Sequence, residues 1–155
     1  MKVQLKKLLI ALGLPLAVGG LAALLSGGME DYGQMVKPPL SPPGWIFPVV
    51  WTALYLLMGY ASYLVWTSDA PEAQKKQALL LYGAQLLANF IWPLLFFGGR
   101  MYLAALVLLV VLWVLILLTI RAFSGISERA GDLLIPYILW VSFAAYLNLG
   151  IFLLN

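Results

Sequence analysis

The sequence has neither cysteine nor histidine among its 155 residues. Without cysteine it can form no disulfide bond and has no thiol chemistry. Without histidine it has no imidazole for acid–base catalysis or proton transfer. The two absences also remove the usual protein ligands of zinc and of haem iron, and Met58 is only a weak substitute as a haem ligand. We therefore expect no metal site and no bound cofactor.

Charged residues are also scarce, at 10% of the chain, and hydrophobic residues make up 64%. None of the long apolar runs contains Asp, Glu, Lys or Arg. Ion pumps and proton-coupled transporters place ionisable groups inside the membrane, so this pattern argues against them. It also leaves no paired carboxylates or catalytic triad for hydrolysis, and no glycine-rich phosphate-binding motif is present.

Five apolar segments are each long enough to cross a bilayer, which takes about 20 helical residues. The sequence therefore predicts an all-α membrane protein, a five-transmembrane-helix bundle forming one domain over residues 1–155. The predicted helices span about 5–25, 44–66, 73–97, 101–121 and 132–154. The fourth has little polar decoration and is predicted to face lipid.

The first segment follows Lys2, Lys6 and Lys7, as the apolar core of a secretory signal peptide would. Its apolar run exceeds the 7–15 residues typical of such a core, which favours a retained helix. Most basic residues fall at one set of segment ends, and cytoplasmic loops carry the excess of Lys and Arg. We therefore predict a cytoplasmic amino terminus. The net charge of +3 forms no patch that would indicate nucleic-acid binding.

Residues 26–43 form the longest polar connection, and their glycines and prolines exclude a regular helix. Loops of this length are usually functional or disordered. Two interpretations stay open: a flexible linker, or an ordered lid over one end of the bundle. Tyr32 and the proline pairs favour the lid.

Three helices carry aromatic or polar side chains at steps of three or four, which places each set on one helix face. We expect these faces to meet, with the first segment as a further wall, around a pocket for a planar apolar molecule such as a tetrapyrrole or a sterol. Interhelical hydrogen bonding for Asn89 and an interfacial aromatic belt for the tryptophans are the alternatives. The faces are Phe47, Trp51, Tyr55, Met58 and Ser62; Gln85, Asn89, Trp92 and Phe96; and Pro136, Trp140, Ala144, Leu147 or Asn148, and Ile151.

Small residues Ala84 and Ala88 lie four apart on the third segment. This spacing lets two membrane helices approach closely. It is compatible with packing inside the bundle or with a dimer.

The order and spacing of these residues resemble the translocator protein family (TspO/MBR), also called tryptophan-rich sensory proteins or peripheral-type benzodiazepine receptors. The likeness extends over nearly the whole chain. It is carried by Lys37-Pro38-Pro39, Pro42-Pro43, Trp45, Pro48, Trp51, Leu54-Tyr55, Met58-Gly59-Tyr60, Ser62-Tyr63-Leu64-Val65-Trp66, Asn89, Trp92-Pro93, Phe96-Phe97-Gly98, Arg100, Pro136-Tyr137, Trp140 and Leu147-Asn148.

The resemblance implies a homodimer of five-helix subunits in the plasma membrane of a bacterium. It implies a pocket beneath the first loop that binds porphyrins and isoquinoline carboxamide or benzodiazepine-type drugs, with a role in tetrapyrrole sensing, transport or regulation. The ligand-binding residues that it implies are Tyr32, Pro42, Phe47, Trp51, Tyr55, Asn89, Trp92, Trp140, Ala144, Leu147 and Asn148.

Two other functions follow from the same resemblance. Light-dependent porphyrin degradation would make Trp51 and Trp140 catalytic, and transport of sterols or other lipid-like molecules is the third possibility. Animal members carry a cholesterol motif with Tyr and Arg where this chain has Leu149 and Leu153, which argues against tight cholesterol recognition.

Overall fold

The computed structural model describes residues 3–27 and 30–155, with the side chains of all of these except residues 30 and 31. Among the described residues the regular structure is helical, and five spans are long and apolar enough to cross a membrane. The helices are α1 (Leu5–Leu25), α2 (Ile46–Trp66), α3 (Glu72–Pro93), α4 (Tyr102–Ser124), α5 (Glu128–Asp132) and α6 (Ile135–Leu154). The predicted five-helix membrane bundle is confirmed.

The spans pack as antiparallel neighbours, with α1 against α2, α3 against α4, and α4 against α6. Glycine allows the closest approach in the first pair. A Cβ atom on Gly59 of α2 would lie 2.6 Å from the carbonyl oxygen of Ala11 on α1. The two backbones therefore come close enough for extensive van der Waals contact, which drives helix association in lipid.

Helix α3 does not end as a regular α-helix. Pro93 cannot donate the backbone hydrogen bond of a regular turn, and the chain continues as a π-helical turn over Leu94–Gly98. Arg100 then adopts a positive φ of 52°, which reverses the chain into α4. The predicted end at residue 97 is thus close to the end of the span, but its last turn is wider than expected.

The last span is interrupted at its beginning. The predicted helix over 132–154 is in fact the short helix α5, two connecting residues and then α6. Ser127 caps α5 by accepting a hydrogen bond from the Ala130 amide at 3.3 Å. Pro136 lies in the first turn of α6, where its missing N–H leaves no bond unmade.

Helix α4 is less exposed to lipid than its composition predicts. One face carries a row of buried residues at helical spacing, which packs against α3 and α6, while the opposite face remains exposed. The helix is therefore part of the core as well as part of the surface. The buried row is Ala105, Leu109, Leu112, Ile116, Thr119 and Phe123.

The small-residue pair on α3 does not form one exposed face. Ala88 is buried inside the bundle, whereas Ala84 is exposed. The pair therefore contributes one residue to internal packing and offers no continuous small-residue stripe to a second subunit.

The loop before α2 is ordered over its described part and includes a 3-10 turn at Glu30–Gln34. The Lys37 ammonium donates to the carbonyl oxygens of Tyr32 and Met35, at 2.9 and 3.2 Å, and lies over the Tyr32 ring. The Tyr32 hydroxyl donates to the Pro42 carbonyl at 2.7 Å. Burial raises the pKa of this hydroxyl above the ordinary value of a tyrosine, which is itself protonated at neutral pH.

The same loop is fastened to α6. The Tyr146 hydroxyl donates to the carbonyl of Pro39 at 2.6 Å, and the Asn155 side chain both donates to and accepts from the backbone of Val36. Gly150 lies directly against the Pro38 ring, where a side chain would overlap it. The loop is thus a packed segment over one end of the bundle and not a flexible linker in its described part.

Antiparallel packing gathers the helix ends into two chemically different groups. The start of α1, the end of α2, the start of α3 and the end of α4 share one end of the bundle. That end carries Lys6, Lys7, Lys75, Lys76, Arg121 and Arg129, while Lys37 and Arg100 lie at the other. Lys2, which we assigned to the first group, lies outside the described residues.

Candidate functional site

A cavity of about 350 Å³ lies between α1, α2 and α3, beneath the loop end of the bundle. Its volume falls in the lower part of the range for small-molecule sites, roughly 300–1,000 Å³. Its walls are mainly aromatic and aliphatic, and no charged side chain lines it. The lining residues are Leu16, Gly19, Gly20, Ala22, Ala23, Ser26, Phe47, Pro48, Trp51, Thr52, Tyr55, Asn89, Trp92, Pro93 and Phe97.

Helical spacing explains the aromatic wall on α2. Phe47, Trp51 and Tyr55 lie four residues apart, so their rings project from one face. The Trp51 and Tyr55 rings are 5.6 Å apart between centroids. On α1, Gly19 leaves the space that the Tyr55 ring occupies, because a Cβ atom there would overlap the ring. The position of Tyr55 at the bottom of the cavity thus depends on the missing side chain of Gly19.

A chain of buried hydrogen bonds leads from the cavity into the core. The Tyr55 hydroxyl donates to Asn89 Oδ1 at 2.9 Å, and Asn89 Nδ2 donates to the Tyr137 hydroxyl at 2.7 Å. Tyr137 in turn donates to Gln85 Oε1 at 2.6 Å. Three spans, α2, α3 and α6, are joined by these contacts. The interhelical role considered for Asn89 is therefore present, and the same residue also lines the cavity.

A second set of hydrogen bonds holds the Trp92 ring in the cavity wall. Trp92 Nε1 donates to Asn148 Oδ1 at 3.0 Å, and Asn148 Nδ2 donates to the Tyr102 carbonyl at 2.9 Å. Trp92 also stacks on Phe96, with ring centroids 5.0 Å apart. The indole is fixed on its polar edge and on one face.

Five of the predicted ligand-binding residues line this cavity: Phe47, Trp51, Tyr55, Asn89 and Trp92. Asn148 does not line it but holds Trp92 in place. Tyr32 packs edge-on against Phe47, with centroids 5.0 Å apart, and accordingly lies behind the lining. Pro42 lies outside the lining too, and its carbonyl accepts the Tyr32 hydrogen bond.

Helix α6 does not supply the cavity wall that we expected from its face with Trp140, Ala144 and Leu147. Trp140, Ala144 and Leu147 of α6 are absent from the lining of this cavity. Trp140 packs edge-on against Phe47, a member of the lining, with ring centroids 5.8 Å apart. Ala144 and Leu147 are buried in helix packing. The first segment, expected to be one further wall, contributes five lining residues, and Ser26 directly follows it.

Most of the lining that we did not predict comes from α1. Its members are small or aliphatic, and the apolar pattern gives no reason to single them out. The adjacent glycines Gly19 and Gly20 were the available indication, since glycine inside a membrane helix often marks a close approach by a neighbour. Tyr137 is a second omission: it carried the resemblance as part of Pro136-Tyr137, but its hydrogen bonds with Asn89 and Gln85 depend on where α6 lies relative to α3.

The cavity opens on the side of the bundle between α1 and α2. The exposed members of its lining are Gly20 and Ala23 on α1 and Pro48 and Thr52 on α2. All four lie within membrane-spanning helices. The mouth therefore faces the region that lipid occupies.

The residues present suit apolar recognition and do not suit metal chemistry. No group of three acidic, histidine or cysteine side chains that could hold a metal ion occurs among the described residues. Met58, the weak candidate haem ligand, is fully buried in the core and is not part of the cavity wall.

Comparison with known proteins agrees with this architecture. The TspO/MBR family matches residues 11–154. The chain is 40% identical to the tryptophan-rich protein TspO of Chlorobaculum tepidum, with 100% of this chain and 99% of that protein covered. It is 38% identical to the tryptophan-rich sensory protein of Cereibacter sphaeroides, with coverage of 95% and 88%. It is 40% identical to the translocator protein of Ovis aries, with coverage of 78% and 72%.

The family match covers almost the whole chain, and relatives near 40% identity align over most of their own length. The aromatic residues that carried the resemblance in the sequence include the α2 and α3 residues that form the cavity wall. The protein therefore belongs to the TspO/MBR family and is a multi-pass membrane protein of that family.

Proposed function

We propose that this protein binds porphyrins or other planar apolar molecules in the cavity between α1, α2 and α3. The single observation that carries the proposal is an aromatic cavity with no charged lining residue, inside a membrane-spanning bundle. Aromatic walls bind flat ligands by stacking and edge contacts, and a few polar groups orient them. Isoquinoline carboxamide and benzodiazepine-type drugs meet the same description.

The size of the cavity bears on how a tetrapyrrole would bind. At about 350 Å³ the cavity takes in part of a large macrocycle, with the remainder projecting through the mouth between α1 and α2. The polar substituents of a porphyrin would then lie outside the charge-free interior. This arrangement avoids burying an unpaired carboxylate.

The test is porphyrin titration of the Trp51→Ala variant in detergent micelles. Loss of the Trp51 ring removes aromatic contacts that contribute about 0.5–1.5 kcal/mol beyond the buried area, so we expect binding to weaken several-fold. Trp113→Ala is the matched control, because Trp113 lies on α4 at the lipid surface, hydrogen-bonded to Ser142. Equal affinities in both variants and the parent protein would contradict the placement of the site.

Names among the relatives include a tryptophan-rich sensory protein and a translocator protein. We propose a corresponding role for this chain in sensing, moving or regulating its ligand, as a homodimer in a bacterial plasma membrane. A cavity without Asp, Glu, Lys or Arg in its lining supports binding and gives no support to ion coupling.

A second candidate is light-dependent breakdown of bound porphyrin. It is favoured by one observation, that two oxidisable indoles, Trp51 and Trp92, line the cavity beside Tyr55. Trp140, the other residue predicted to be catalytic, is not part of the lining and contacts it through the Phe47 ring. Illumination of protein with protoporphyrin, followed by absorption, tests this function. Band loss no faster than in protein-free detergent would exclude it.

A further inference from the structure

Most polar groups of the cavity lining donate their hydrogen atoms inside the protein, while the indole N–H of Trp51 remains available to a ligand. The Ser26 hydroxyl is 3.2 Å from the carbonyl oxygen of Ala23, and the Thr52 hydroxyl is 2.7 Å from that of Pro48. A carbonyl oxygen can only accept, so both hydroxyls must donate. Trp92 likewise donates its only N–H to Asn148.

Tyr55 follows the same pattern at the bottom of the cavity. Its hydroxyl donates to Asn89 Oδ1, in a chain where each member donates to the next as far as Gln85. A phenolic oxygen that has donated its proton still carries lone pairs that can accept a hydrogen bond. Tyr55 and Asn89 both line the cavity, so this hydrogen bond lies at its wall.

We propose that Tyr55 accepts a hydrogen bond from the ligand, so that a neutral N–H or O–H group buried against it strengthens the binding of a planar apolar molecule. This inference depends on the function proposed above and specifies its ligand class. A cationic donor is disfavoured because no carboxylate lines the cavity to compensate its charge. An acceptor on the ligand would instead be recognised by the indole N–H of Trp51, one turn nearer the loop.

Three probes with one tricyclic skeleton separate these possibilities: carbazole carries an N–H at the bridge, fluorene a methylene and fluorenone a carbonyl. Affinities would be measured by equilibrium dialysis of the protein in nanodiscs against protein-free nanodiscs. We expect carbazole to bind about three- to tenfold more tightly than fluorene, as one added hydrogen bond predicts.

The Tyr55→Phe variant removes the accepting oxygen and keeps the ring. We expect the carbazole advantage over fluorene to disappear in this variant, while the affinities for fluorene and fluorenone stay within twofold of the parent. Tyr82→Phe is the matched control, because it makes the same change at a buried tyrosine of α3 that does not line the cavity. In that variant the carbazole advantage should remain.

Three results would overturn the inference. Carbazole and fluorene could bind equally to the parent protein, or Tyr82→Phe could abolish the difference in place of Tyr55→Phe. Alternatively, Tyr55→Phe could weaken fluorenone selectively, which would mean that the chain from Tyr55 to Gln85 runs in the opposite direction and Tyr55 is a donor. Failure of the proposed function looks different: none of the three probes would bind, and Trp51→Ala would leave porphyrin titration unchanged.

Discussion

The absence of a side chain at Gly19 on α1 determines where the Tyr55 ring lies in the cavity. Gly19 has no Cβ atom, and the Tyr55 ring occupies the space where one would be. The ring position in turn allows the 2.9 Å hydrogen bond between the Tyr55 hydroxyl and Asn89. Steric fit between two residues on neighbouring helices therefore fixes a polar contact on a third.

Gly19→Ala should disturb this arrangement. The added methyl group overlaps the Tyr55 ring, and overpacking of this kind costs about 1–3 kcal/mol. We expect a lower unfolding temperature in detergent and a weaker Tyr55–Asn89 contact. Gly13→Ala on the same helix is the control, because nothing lies within 4 Å of the position of its Cβ atom. It should be neutral or slightly stabilising, since alanine favours helix over glycine. A similar loss of stability in both variants would contradict the steric explanation.

At the residue scale the sequence predicts some positions better than others. Phe47, Trp51 and Tyr55 follow from helical periodicity alone, because one helix face sets all three directions. The position of Trp140 does not, since it depends on which side of Phe47 the last helix packs. Helical periodicity predicts the direction in which a side chain projects from its own helix. It does not predict the angle at which a neighbouring helix packs.

The segment before α2 behaves as a structural element although it is mostly irregular. The Lys37 ammonium group donates hydrogen bonds to the backbone carbonyls of Tyr32 and Met35 within this segment. Tyr146 and Asn155 then fix the same segment to α6. The predicted lid is therefore supported by contacts on both sides, and a role in closing the cavity remains a prediction.

Gly150→Ala should loosen this segment without affecting the cavity wall. Its methyl group overlaps the Pro38 ring, so we expect faster amide hydrogen exchange in residues 32–44, measured by mass spectrometry. Gly83→Ala is the matched control: Gly83 is also helical, and nothing lies within 4 Å of the position of its Cβ atom. Unchanged exchange in Gly150→Ala would show that the contact with Pro38 does not hold the segment down.

At the scale of the whole molecule the chain alternates direction, so charges that are far apart in sequence collect at one end. Six described basic residues, Lys6, Lys7, Lys75, Lys76, Arg121 and Arg129, lie at the end where α1 begins. Basic residues near membrane helices are retained on the cytoplasmic side. We accordingly predict that the amino terminus is cytoplasmic and that the end of α6 is outside.

Alkaline phosphatase fused after Asn155 tests this orientation in a bacterial host, because the enzyme is active only outside the cytoplasm. We expect an active fusion there, and an inactive fusion after Ser68, which connects α2 to α3 at the basic end. The reverse pattern of activities would contradict the predicted orientation.

The number and approximate bounds of the spans could be read from the sequence because a bilayer imposes a minimum apolar length. The π-helical turn after Pro93 and the break between α5 and α6 could not, since they depend on local backbone geometry that apolar length does not report. The aromatic residues that α2 and α3 contribute to the cavity were predicted, whereas the lining residues of α1 were not. The aromatic residues can be recognised by their helical spacing. Helix α1 contributes mainly small side chains, which form no distinctive pattern.

The lateral mouth between α1 and α2 determines how affinity for this protein should be expressed. An apolar ligand that enters there comes from the bilayer, where partitioning has already concentrated it. Occupancy is then best expressed against the mole fraction of ligand in lipid. Partitioning lowers the free ligand, so a dissociation constant referred to the total ligand concentration rises with the amount of membrane in the assay. Two laboratories using different lipid-to-protein ratios would report different constants for the same intrinsic binding.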